Sequence, residues 1–368
     1  MTHTRVFRGL LVLLLAIGLQ AAEPDGPYVF GAQGRLESWS VRVEGGQALK
    51  QVRSVEGGAV VVPAVGRFPA FGVKLRPSAE PAPDAVTVGA ENPVFVVADT
   101  HGEFEILAEM LQKHGVLDEK LRWKFGRGHL VVLGDVFDRG PNQTEILWLL
   151  YELEAQARDA GGGAHLLLGN HESMVMRGDV RYLNPKYRET ARTLGTDYPK
   201  LFGADSVLGQ WLRAQRVALR VNDLLLVHGG ISRALIDQGF SLAEMNRLTR
   251  AALDNRIEGE KDLERADFLL GSLGPLWYRG YFTPPSDLMG ASGIDVDLTL
   301  KHFGARRIVV GHTTVPTVTS LYEGRVIAVQ VYPKREAEGV RFECLLIRDG
   351  VPLRAKFDGG SEPLSDSR

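Results

Sequence analysis

Five short clusters along the 368-residue chain carry side chains suited to metal and proton chemistry. "ADTHG" holds Asp99 and His101, "GDVFDRG" holds Asp135, Asp138 and Arg139, and "GNHE" holds Asn170, His171 and Glu172. "HGG" adds His228 and "GHT" adds His312. Asp99, His101, Asp135, Asn170, His228 and His312 offer carboxylate or amide oxygen and imidazole nitrogen, with no thiolate among them. Such a donor set suits divalent manganese, iron or zinc better than a soft metal. Any one cluster alone is weak, because an Asp after a strand is often a helix cap or turn residue. Their joint placement is what points to cations: packing does not require five strands each to end in a ligand-type residue beside Gly.

Each cluster follows a short apolar run: "PVFVV", "HLVVL", "AHLLL", "DLLLV" and "RRIVV". Runs of this length and branching, bounded by turn residues, suit strands buried on both faces of a parallel or mixed sheet. Stretches such as "EFEILAEMLQKHG" alternate with them and space Ile106, Leu107, Met110 and Leu111 as one helical face. The pattern predicts an α/β domain over residues 91–368 with its site at the carboxyl ends of the strands. Gly102, Gly134, Gly140, Gly169, Gly229, Gly230 and Gly311 adjoin the clusters and would let the chain turn sharply there. Loop-rich stretches between Met176 and Trp211, and between Ala252 and Gly290, could close over the site. Tyr278, Tyr281 and Phe282 could stack on an aromatic substrate or pack in the core. Ser241 to Glu244 reads as a helix capping box. His114, His129, His165 and His302 fall on helical stretches or strand starts and are expected to be solvated.

The remainder of the chain bounds the setting. Residues 1–22 combine Arg5 and Arg8, an apolar run from Leu10 to Leu19, and small Ala21 and Ala22, the three-part pattern of a secretory signal. Its removal would leave no stable membrane insertion and a secreted, periplasmic protein. Residues 23–90 alternate in pieces such as "RLESWSVRVEGG" and predict a β-rich extension packed on the main domain. A lone Cys344 in "FECLLI" cannot form an internal disulfide and reads as a small buried hydrophobe. The net charge of −2 gives no electrostatic reason for nucleic acid as a partner.

In their order and spacing the five motifs resemble the phosphoprotein phosphatase branch of the calcineurin-like metallophosphoesterases. With "GDVFDRG" and "WYRGY", the wording is most similar to the Shewanella-like phosphatases. The resemblance covers roughly residues 92–328 and implies a β-sandwich flanked by helices with two divalent metal ions at the strand ends. It places Asp99 and His101 on the first metal, Asp135 between both, and Asn170, His228 and His312 on the second. It makes His171 the general acid, held by Asp138, and Arg139 and Arg279 the phosphate clamp. The implied reaction is phosphomonoester hydrolysis by a metal-bridging hydroxide, on a phosphorylated protein at Tyr or Ser/Thr. A small phosphate ester or a dinucleoside polyphosphate is the alternative substrate, and a non-catalytic metal-binding protein the alternative of another class. Two features depart from the pattern: Ala98 stands where a Gly is usual, and "VIAVQVYPKREAEG" replaces the C-terminal signature of the eukaryotic members.

Overall fold

The computed structural model of the protein describes residues 23–32, 34–76 and 80–365, so the expected signal segment, 1–22, lies outside the described residues. The five apolar runs form the strands Val94–Val97, His129–Val132, Gly163–Leu166, Leu224–Val227 and Arg307–Val310. Val94–Val97 and Leu224–Val227 are buried at every position, as strands with both faces covered must be.

These strands sort into two six-stranded sheets. In the first, Val94–Val97, His129–Val132 and Gly163–Leu166 run parallel, and Glu343–Arg348, Val351–Lys356 and Ser361–Pro363 extend the sheet antiparallel. In the second, Leu224–Val227, Arg307–Val310 and Val326–Ala328 run parallel, with Thr319–Leu321 and Ala218–Val221 antiparallel beside them. Register sets the level of the strand ends: Val97 faces Val132, Val132 faces Leu166, and Val227 faces Val310. All five clusters therefore leave their sheets at carboxyl ends. The fold is the mixed α/β architecture expected.

The N-terminal region is β-rich: Asp25–Ala32, Arg35–Glu44 and Gln47–Ser54 form an antiparallel sheet, and Ala59–Val62 pairs with Phe71–Lys74. Tyr28, Val29, Val62 and Phe68 share one hydrophobic core with Phe95 and Leu147 of the main body. This region covers the outer face of the helix Gln143–Asp159, whose first nine residues are all buried. Trp148 donates its indole N–H to the Pro27 carbonyl at 2.8 Å, and Arg76 stacks 3.9 Å over the Tyr151 ring.

Some expectations need correction, and others hold. The stretch from Met176 to Trp211 contains the helices Pro185–Leu194 and Val207–Ala214, capped by the side chains of Asn184 and Ser206, not open loop. Each has an apolar face, but at 10 and 8 residues it spans only about two to three turns, too short a window for periodicity to stand out among Gly, Pro and polar residues. The four histidines expected in solvent are all engaged. His129 is 7% exposed and lies 2.9 Å, nitrogen to nitrogen, from His165. His114 and His302 each place Nε2 at 2.8 Å from a carbonyl, of Lys356 and Phe240. Tyr278 and Tyr281 are buried core residues, the latter donating to the Ile231 carbonyl. Cys344 is buried, and burial pushes its thiol well above the ordinary range. The Ser241–Glu244 capping box is present.

Candidate active site

The backbone around the clusters is bent further than glycine alone could arrange. His101, Asp135, Asp138, Arg139 and His312 themselves adopt left-handed backbone, with φ of 43°, 52°, 69°, 65° and 58°. A non-glycine residue held there costs on the order of 1–3 kcal/mol, so its surroundings must hold it. The Thr100 and His101 N–H groups donate to the Asp135 carbonyl at 3.1 and 2.9 Å, and the Gly140 N–H donates to the His101 carbonyl at 2.8 Å. Gly134, at φ 105°, lets two of these loops touch, since a Cβ there would collide with the backbone of Gly169.

The central anchor is Glu172. One of its carboxylate oxygens accepts from the N–H groups of Asp135 and Gly169 at 2.8 and 2.7 Å. The other accepts from Val136 at 2.7 Å and Phe137 at 3.3 Å. A single buried carboxylate thus ties the "GDVFDRG" loop to the "GNHE" loop. The sequence singled out Glu172 without a role; only the fold shows that its partners lie in another cluster. Gln330, which accepts from the Asp99 N–H at 2.9 Å, carried no sequence signal.

These loops bring the predicted ligand set together. Asp135 Oδ2 lies 3.2 Å from His228 Nε2 and 3.9 Å from both His101 Nε2 and His171 Nε2. His101 Nε2 is also 3.9 Å from Asp99 Oδ2, and Asn170 Oδ1 is 3.0 Å from His228 Nε2. Two groups have ligand atoms close enough to share an ion: His101, Asp135 and His171, and Asp135, His228 and His312. Asp135 belongs to both. The Nε2 atoms of His101 and His312 are buried without a hydrogen-bond partner, which is the state of a nitrogen whose lone pair is meant for a cation.

The charges agree with that use. Burial, reinforced by Asp135, pushes Asp99 up to about 7. Burial acts on Asp135 in the same direction, but the nearby His228 and His171 outweigh it and hold its carboxyl well below the usual range. Burial lowers His101 to about 3, whereas Asp135 overcomes burial at His228 and raises it to about 9. Two buried carboxylates and several imidazoles at this spacing repel or share protons unless cations replace those protons.

The Nδ1 partners differ in kind. His101 Nδ1 lies 2.7 Å from the Phe137 carbonyl, which leaves its Nε2 as a free lone pair, whereas His228 Nδ1 lies 2.9 Å from the Leu133 carbonyl and its Nε2 faces the oxygens of Asn170 and Asp135, to which it donates unless a cation replaces that proton. His171 Nδ1 instead meets Asp138 Oδ2 at 2.6 Å. Burial opposes the imidazolium of His171, but Asp135 and the Asp138 bond overcome it and raise its pKa. Arg139 and Arg279 stand exposed at the mouth. Arg279 donates to the His312 carbonyl at 3.3 Å and to Thr313 Oγ1 at 3.1 Å, and Arg139 lies 5.6 Å from the centre of the Tyr332 ring.

Residues 93–316 match the calcineurin-like phosphoesterase family, and the chain belongs to it. It is a metal-dependent phosphoesterase by that membership. Its structure is similar to that of a cold-active protein-tyrosine phosphatase from a psychrophilic Shewanella species, at 36% identity and a TM-score of 0.81, over 94% of this chain and 100% of that one. Shewanella-like protein phosphatase 2 of Arabidopsis thaliana is 28% identical over 60% of this chain and 66% of its own length. Shewanella-like protein phosphatase 1 of Plasmodium berghei is 26% identical over 61% of this chain and 62% of its own.

Proposed function

We propose that the protein is a two-cation phosphomonoesterase acting on phosphorylated protein side chains, with phosphotyrosine preferred. The observation that carries this reading is Asp135, which belongs to two groups of possible ligand atoms, each holding one imidazole, His101 or His312, whose Nε2 lacks a partner. Asp99, His101 and Asp135 would hold one divalent ion, and Asp135, Asn170, His228 and His312 the other. Manganese, iron or zinc suits these donors. When bound, the pair supplies charge neutralisation at the phosphoryl oxygens and activation of water for in-line attack on phosphorus.

The protein's own groups supply the rest. Arg139 and Arg279 grip the non-bridging oxygens, which suit the planar fork of a guanidinium. His171 delivers the proton on Nε2 to the leaving oxygen while Asp138 holds Nδ1–H and keeps the ring charged until transfer. The leaving group departs with that proton, and no covalent phosphoenzyme forms. The tyrosine preference is supported by the Shewanella relative and by a cavity of about 650 Å³ beside Arg279, lined in part by Met174, Leu270, Trp277 and Met289. Apolar walls of that kind suit an aromatic ring. Residues 1–22 act in this reading as a cleaved leader to the periplasm, which N-terminal sequencing of the exported protein would check.

The test is cation content together with turnover of matched phosphotyrosine and phosphothreonine peptides, for the chain from Glu23 and its Asp135→Asn variant. Two cations per chain, faster phosphotyrosine turnover, and loss of both cations and activity in the variant are expected. One cation, or activity untouched by the substitution, would overturn the reading. Faster hydrolysis of a dinucleoside polyphosphate than of either peptide would replace the substrate class.

A further inference from the structure

The loop 138–143 carries the proposed acid's carboxylate partner and one phosphate arginine, and its conformation is secured from an unexpected side. The Asp138 N–H donates to Gln143 Oε1 at 2.6 Å, and the Gln143 N–H donates to the Tyr187 hydroxyl at 2.7 Å. That hydroxyl donates in turn to the Pro141 carbonyl at 2.7 Å, and Lys186 Nζ donates to the same carbonyl at 2.7 Å. Lys186 is 6% exposed and stands between two buried carboxylates, Asp25 at 3.6 Å and Glu145 at 3.4 Å. Asp25 accepts from the Tyr28 hydroxyl at 2.6 Å, whose oxygen lies 3.1 Å from Thr144 Oγ1. An apolar route runs alongside: Phe137 meets Phe202 edge-on with ring centroids 4.8 Å apart, and Tyr28 meets Phe202 at 5.8 Å.

Both routes end on the first strand of the N-terminal region, Asp25–Ala32. We propose that Asp25 and Tyr28 are positioning residues for the reaction, and that docking of this strand sets the loop that aims the Asp138–His171 pair and Arg139. The physical reason lies in Lys186. A buried ammonium needs its carboxylates, and with Asp25 neutralised it is drawn toward Glu145 and away from the Pro141 carbonyl. The Tyr187 hydroxyl, which accepts from the loop on one side and donates to it on the other, passes that displacement to Gln143 and so to Asp138. Since Asp138 and Arg139 hold left-handed backbone only while the loop is secured, a slack loop relaxes first at these two residues.

This rests on the reading of His171 as the acid. The test uses the chain from Glu23 with Asp25→Asn and, separately, Tyr187→Phe, which keeps the ring and stays informative should the first variant fail to fold. Turnover of p-nitrophenyl phosphate, whose leaving group needs little protonation, is compared with that of phenyl phosphate, and amide exchange is followed across 138–143. A roughly tenfold or greater excess loss on phenyl phosphate, with faster exchange in the loop, is expected for both variants. Equal loss on the two esters with unchanged exchange would overturn the proposal, since a merely structural role would lower both alike. His171→Asn separates the two readings. If it too shows no leaving-group discrimination, the acid assignment fails; if it discriminates and the other two do not, only the positioning role falls.

Discussion

At the scale of single residues, the site divides its histidines by what each Nδ1 touches. At His101 a carbonyl on Nδ1 and burial keep the ring neutral with its lone pair free on Nε2, and at His171 a carboxylate on Nδ1 favours a charged ring with a proton there. Glu172 shows how one side chain can serve as scaffold for several others. It accepts four backbone N–H bonds from two loops, at 2.7 to 3.3 Å. Glu172→Gln puts an N–H₂ donor against N–H donors and removes charge-assisted bonds, each worth about 1.5–3 kcal/mol. A stability loss of about 3 kcal/mol in urea unfolding and roughly 10–100-fold weaker cation binding are expected. A variant with unchanged unfolding midpoint and cation affinity would show that Glu172 does not hold the two loops.

At the scale of elements, parallel pairing in register brings distant clusters to one level, and the opposite ends of the same strands carry a different feature. His129, at the start of its strand, and His165, third in the neighbouring one, pair nitrogen to nitrogen, and burial lowers the pKa of both, that of His165 well below its ordinary value. Such a ring stays neutral in the folded state while the unfolded chain takes up a proton below about pH 6.5. The stability it confers is therefore present above about pH 6.5 and lost as pH falls below it. The loss is about 1.4 kcal/mol per pH unit for each fully protected ring. His165→Gln is expected to flatten the fall in the urea midpoint between pH 7 and pH 5 relative to the unsubstituted protein. An identical slope in the variant would assign the acid sensitivity to other groups.

At the scale of the whole molecule, the N-terminal region and the catalytic body share a single hydrophobic core. Tyr28 and Val29 are each 1% exposed, and Trp148 of the body is fully buried with its indole N–H on the Pro27 carbonyl. Since its described residues form no core separate from that of the body, the region is expected to unfold together with the body. Tryptophan fluorescence, which reports Trp39 and Trp148 among others, and far-ultraviolet circular dichroism should give coincident urea transitions. Two resolved transitions would mean that the region is an independent unit.

How far the sequence could be read follows from the range of the forces involved. Strand cores, their glycine exits and the six oxygen and nitrogen donors are local patterns, since burial dictates apolar runs and metal chemistry dictates residue type. Hence Asp99, His101, Asp135, Asn170, His228 and His312 stood out as candidates by their joint placement at five strand ends, and their order carried the family resemblance. What required the tertiary structure was every assignment that depends on a partner far along the chain. Glu172 reaches Asp135 across 37 positions, and Gln330 reaches Asp99 across 231. Histidines that read as solvated found carbonyls and each other, and short helices replaced expected loops. The N-terminal strand read as a packed appendage, yet Tyr28 reaches Thr144 across 116 positions. A hydrogen bond is specific only within about 3 Å, and which groups come that close is decided by the packing of the whole chain, not by the neighbours of either residue.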